Sequence, residues 1–138
     1  MKRLAVSLAC LLSACELSLT DLRQNQPEKV SDFPAEATKL SDCVHRAAES
    51  MGTPHSFRLN ARPDKQEFVI TATPASEPSI RTEPAALELH FKAQGETTTV
   101  LLRDSPIGDH VLSHDLWSIV DRCASQLAEQ PAANSPAP

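Results

Sequence analysis

Leu87-Glu88-Leu89-His90-Phe91-Lys92-Ala93, then Gln94-Gly95-Glu96, then Thr97-Thr98-Thr99-Val100-Leu101-Leu102-Arg103 is the stretch on which the fold turns. Leu87, Leu89, Phe91 and Ala93 alternate with Glu88, His90 and Lys92, the period of a strand buried on one side only. Gln94-Gly95-Glu96 supplies a turn, and Thr97 to Arg103 returns with Val100 and Leu102 on the inner side. His90, between Glu88 and Lys92, is expected on the solvated face. So are Glu88 itself and, on the returning strand, Thr97, Thr99, Leu101 and Arg103.

Working back toward the amino end, the same alternation recurs twice. Phe57, Leu59 and Ala61 share one face of a short strand, Pro63-Asp64-Lys65 turns the chain, and Phe68, Ile70 and Ala72 share one face of a second. Residues 74–85, with prolines at 74, 78 and 84, read as a polar loop. Four strands with such connections predict an antiparallel meander.

A helix is predicted on each side of the meander. From Pro34 to Met51, Ala37, Leu40, Val44, Ala47 and Met51 recur at spacings of three and four. Asp32 is the expected cap, Pro34 falls in the first turn, and Gly52 with Pro54 stops the helix. Near the carboxyl end, Leu112, Leu116, Ile119, Val120, Cys123 and Leu127 mark the apolar stripe of a second helix, with Ser113 as its expected N-cap. The expected fold is therefore α+β, a two-layer α-β-β-β-β-α domain with both helices on one face of a four-stranded sheet.

Cysteine positions add a constraint. Cys43 borders the stripe of the first helix and Cys123 lies on that of the second, so a disulfide between them would staple the helices together. It would close a loop of about 80 residues, and chain entropy assigns such a loop roughly 4.5 kcal/mol of stabilisation. That pairing requires an oxidising compartment.

The amino terminus supplies an address of that kind. Met1-Lys2-Arg3 is a short basic start, Leu4 to Leu12 is an uncharged apolar run, and Ser13-Ala14 precede Cys15. The run is too short for a permanent membrane span, and its order is that of a secretory signal peptide. Leu12-Ser13-Ala14-Cys15 resembles the lipobox of bacterial lipoproteins. The resemblance covers residues 1–15 only and implies cleavage before Cys15, acylation of that cysteine and membrane anchoring. Cys10, after Ser7-Leu8-Ala9, has its leucine one place too close and belongs to the discarded signal. Glu16 replaces the aspartate that resembles an inner-membrane retention signal, which implies the outer membrane, with the domain facing the periplasm.

The organisation expected along the chain is a signal peptide at 1–14, the lipidated Cys15 and a tether at 15–33, one domain at 34–129, and a disordered tail at 130–138. The formal net charge of −5 becomes −7 when Lys2 and Arg3 leave with the signal. An acidic domain disfavours nucleic acid and anionic head groups, so attachment to the membrane rests on the lipid.

Chemistry-bearing motifs are sparse. His110 and His114 stand four apart, a spacing that could share a metal on one continuous helix, but Ser113 as cap would leave His110 in the preceding loop. No nucleophile elbow is present, and the chain's three glycines form no phosphate-cradling loop. Trp117, next to Leu116, is expected at the edge of the core, with a partner-binding anchor as the other reading. No cofactor is expected and no catalysis. The function expected is a non-enzymatic, lipid-anchored protein-binding module, in one form an immunity or inhibitor protein against a periplasm-acting toxin or hydrolase. Other expected forms are an accessory of envelope assembly or secretion, or a small-ligand or metal binder.

Overall fold

In the computed structural model, the residues described are 19–24, 26–75, 87–105 and 110–130. The lipobox, Cys15 and the tail from 131 onward lie outside them, as does most of the proline-containing loop. The elements in chain order are α1 (Leu19–Gln24), β1 (Lys29–Phe33), α2 (Ala37–Glu49), β2 (His55–Arg62), β3 (Glu67–Pro74), β4 (Leu87–Gln94), β5 (Thr97–Asp104) and α3 (His110–Glu129). All neighbouring strands are antiparallel, and the sheet order is β1-β5-β4-β3-β2.

The class is α+β, and the expected meander is the run β2 to β5. The sheet, however, has five strands where four were expected. The added strand, β1, comes from the stretch read as tether. Only Val30 and Phe33 are apolar in Lys29-Val30-Ser31-Asp32-Phe33, so alternation is nearly invisible. Its placement rests on tertiary contacts: pairing with β5 from Lys29↔Leu102 to Phe33↔Thr98, and Phe33 packing on Trp117 with ring centroids 6.1 Å apart.

That strand also moves the start of the first long helix. Asp32 is not a cap; it lies in β1 and accepts a 2.6 Å hydrogen bond from the Thr99 hydroxyl. Glu36 occupies the N-cap of α2 without a side-chain cap bond. The hydroxyl of Thr98 donates to the Ala35 carbonyl at 2.6 Å and ties this connection to β5. After α2, Gly52 adopts φ +66°, the left-handed conformation that releases the chain toward β2.

The core lies between the sheet and two helices. Leu40, Val44 and Ala48 of α2 and Leu116, Ile119, Val120 and Cys123 of α3 meet Ile70, Ala72, Leu87, Leu89, Phe91, Val100 and Leu102. Helix α2 covers β2 to β4, and α3 lies beside it over β5. The disulfide Cys43–Cys123 joins the two helices, with Cα atoms 6.0 Å apart and a sequence separation of 80. The expected staple is present.

Candidate functional site

Strand alternation sends Glu88 and His90 of β4, and Glu67 of β3, to the face opposite the two long helices. A solvated face was expected there. Instead Glu88 is 0% exposed, and His90 and Glu67 are buried as well. The cover comes partly from α1, which packs against β5. Its Leu22 is buried outside the main core, and its Arg23 reaches across to β4.

Arg23 and Glu88 form a two-point pair. Nη2 of Arg23 donates to Oε1 of Glu88 at 2.8 Å, and Nε lies 3.0 Å from Oε1 and 3.2 Å from Oε2. On the other side of Glu88, Nε2 of His90 lies 3.0 Å from Oε1, though off the line of a hydrogen bond. Nδ1 of His90 stands 2.7 Å from Oε1 of Glu67, and Arg62 closes the row with Nη1 3.5 Å from Oε2 of Glu67. Basic and acidic side chains thus alternate across β2, β3, β4 and α1. Two carboxylates sit on either side of one imidazole, with Nδ1 hydrogen-bonded to Glu67 and Nε2 close to Glu88.

The electrostatics follow from this row. Burial by itself pushes the Glu88 carboxyl up, but the close His90 ring and the hydrogen-bonded charge of Arg23 more than offset that and hold it at about 2. Burial opposes Glu67 in the same way, and His90, Lys92 and Arg62 bring its carboxyl below the ordinary value. Arg23 is raised by its bond to Glu88. Both acids are therefore charged at neutral pH and are balanced from within the chain.

The residues singled out from sequence are placed as follows. Cys15 lies outside the described residues. Cys43 and Cys123 are bonded to each other. His110 does not lie in a loop: α3 begins with it, and Ser113 is no cap, since its hydroxyl donates back to the His110 carbonyl at 3.2 Å. His110 and His114 therefore do share one helix at i, i+4, both well exposed. His110 stands 3.7 Å from Asp104, and His114 stands 3.6 Å from Asp115. Among the described residues, no three His, Cys, Asp or Glu side chains form a group able to hold a metal.

Trp117 is half buried against the core, with Phe33 on it and Nζ of Lys29 5.6 Å from its ring centroid. Asp104 is unusual: its side chain is 6% exposed, and among the described residues neither carboxylate oxygen meets a donor in good hydrogen-bonding geometry. Burial raises its carboxyl and the charge of Glu28 adds to this, with partial relief from Ser105, His110 and Ser113.

No protein-family model matches the chain, and no curated protein does. Among solved structures it is similar to the di-domain ARO/CYC StfQ from the steffimycin biosynthetic pathway, at 13% identity and a TM-score of 0.42. The match covers 73% of this chain and 44% of that one, so this chain spans less than half of its length. A likeness that slight carries no argument about chemistry.

Proposed function

We propose that the chain is a lipoprotein anchored through Cys15 in the outer membrane, whose domain binds another protein in the periplasm and performs no catalysis. The observation that carries this reading is the Cys43–Cys123 disulfide. A bond of that kind persists in an oxidising compartment, and it is independent of the lipobox order at Leu12 to Cys15. The disulfide and the lipobox order both support export in this reading. No helix among the described residues is long and apolar enough to cross a membrane, so the lipid is the means of attachment in this reading.

The binding role rests on charge. With the signal removed the net charge is −7, a surface suited to a basic partner, since acidic binders of basic targets gain association rate by steering. An immunity or inhibitor protein against a periplasm-acting toxin or hydrolase is the specific form that fits this charge.

The experiment has two arms. Metabolic labelling with radioactive palmitate should mark the wild type and leave Cys15→Ser unlabelled; label retained in Cys15→Ser overturns the anchor. Affinity capture from envelope extracts should bring down a basic protein at low salt, and that protein's own toxic or hydrolytic activity should fall when the chain is added. Failure of any protein to co-purify at low salt overturns the binding role.

A further inference from the structure

The two sulfurs of the bridge sit in unequal surroundings. Cys123 is 1% exposed and belongs to the main core, whereas Cys43 is half-buried at the margin of that core. Helix spacing accounts for the difference. Cys123 falls on the apolar stripe of α3 with Leu116, Ile119 and Val120. Cys43 stands one turn from Lys39 and one turn from Arg46, so it shares a side of α2 with charged residues.

That side of α2 borders a cavity of about 370 Å³. Lys39, Asp42, Cys43 and Arg46 line it from α2, and Gln126 and Gln130 line it from the side of α3; Cys123 does not reach it. Oε1 of Gln126 stands 4.0 Å from Sγ of Cys43. Polar walls admit water and dissolved solutes, and the volume is ample for a small thiol. Exchange between a thiol and a disulfide depends on which sulfur the thiolate can reach. Of the two, Cys43 borders the space from which it can approach.

We propose that Cys43 is the thiol-exchange site of this protein: a small external thiol attacks its Sγ, and Cys123 is the sulfur released. The external thiolate bonds to Sγ of Cys43 as the Cys43–Cys123 bond breaks, and the electron pair leaves on Sγ of Cys123. A thiolate among apolar neighbours is unfavourable, so Cys123 takes up from solvent the proton that the external thiol gave up. One disulfide and one thiol are consumed and one of each is formed, so no further oxidant or reductant enters. Back-attack by Cys123 on Cys43 restores the bridge and expels the thiol. Cys43 is thus the sulfur that carries the adduct and Cys123 the one that resolves it. This chemistry goes with the bridge alone and depends on neither the lipid anchor nor the binding role.

Peptide mapping of the oxidised full chain tests this, with 2-mercaptoethanol as the probe. The folded protein is exposed to it at mildly alkaline pH, quenched in acid at successive times, alkylated and digested. Cleavage after Lys and Arg puts Cys43, Cys123 and the pair Cys10 and Cys15 in three separate peptides. Early in the time course the mercaptoethanol adduct should be at least about tenfold more abundant on the Cys43 peptide than on the Cys123 peptide, which should carry the alkyl label. In denaturing urea, where burial no longer separates the two sulfurs, the adduct should divide about evenly. Adduct on Cys123 equal to or above that on Cys43 in the folded protein overturns the site. So does absence of any adduct on Cys43, or a preference that persists undiminished in urea.

Discussion

Arg23 and Glu88 lie 65 residues apart in the chain, yet the guanidinium and carboxylate meet at 2.8 Å, with the acid fully buried. This pair joins the first described helix to the centre of the sheet. Removing the cation takes away the guanidinium that is paired with this buried anion. Because Arg23 is partly exposed, Arg23→Gln should lower stability by about 2 kcal/mol, under the 3–5 kcal/mol typical of a wholly buried pair. Urea unfolding at pH 7 measures it.

Acid should act through the same carboxylate. Glu88 falls from an ordinary 4.5 to about 2 in the folded chain, so the unfolded chain takes up its proton first as pH drops. The stabilisation is complete above pH 4.5 and is lost as pH falls from there to about 2. A shift of that size corresponds to roughly 3 kcal/mol. Stability curves at successive pH values should decline across this window, and Glu88→Gln should remove most of the decline.

Asp104 should behave in the opposite sense. Its folded carboxyl is raised above 3.8, so whatever stability it confers exists below that value and is lost as pH rises through the folded titration. Its buried carboxyl resists ionisation, with only partial relief from Ser105, His110 and Ser113. Asp104→Asn keeps the shape and removes the charge, and should raise stability at pH 7 by about 1 kcal/mol. The gain should shrink as pH falls through the folded titration of Asp104 toward 3.8 in the same unfolding assay.

The disulfide closes a separation of 80 residues. Cys43→Ser/Cys123→Ser should lose about 4.5 kcal/mol on the chain-entropy argument. Peptide mapping of the oxidised protein by mass spectrometry should give the Cys43 and Cys123 peptides joined, and reduction should separate them.

Phe33 packs on Trp117, the chain's single tryptophan. Phe33→Ala should loosen β1 from the sheet and cost about 3 kcal/mol, toward the low end for a large aromatic because Phe33 is only half buried. Emission from Trp117 should shift to longer wavelength while the protein is still folded.

What could be read beforehand followed one rule: local periodicity is visible where one face is apolar and the other polar. The strands built on Phe57, Phe68, Leu87 and Val100 obey it, and so do the two long helices. Helix Ala37–Glu49 was placed on its stripe but begun too early, because Asp32 and Pro34 imitate a start while Asp32 lies in β1 and Pro34 follows it. Strand β1 itself was missed, since its pairing with β5 and the contact of Phe33 with Trp117 are long-range.

The Arg23–Glu88–His90–Glu67 row was missed for a related reason. Alternation assigns Glu88 and His90 to the outer face correctly, but cannot say what lies over that face. Leu22, an isolated apolar residue in the stretch read as tether, gives little local hint of a cover. The cysteine pair was legible because a covalent bond needs only two residues on facing stripes. His110 was placed in a loop because Ser113 resembles a cap, whereas its hydroxyl bonds backward into the helix.

The sulfur bridge between α2 and α3 also bears on how the molecule carries mechanical load. A pull applied at the amino end reaches α1 first, then β1, then the opening turns of α2. It stops at Cys43, because everything from there to Cys123 is a closed covalent ring. Stretching can peel the leading segment away, yet β2, β3, β4 and β5 stay looped together whatever the force, short of breaking the bridge. Tension would thus unpeel the layer over Glu88 before it could threaten the rest.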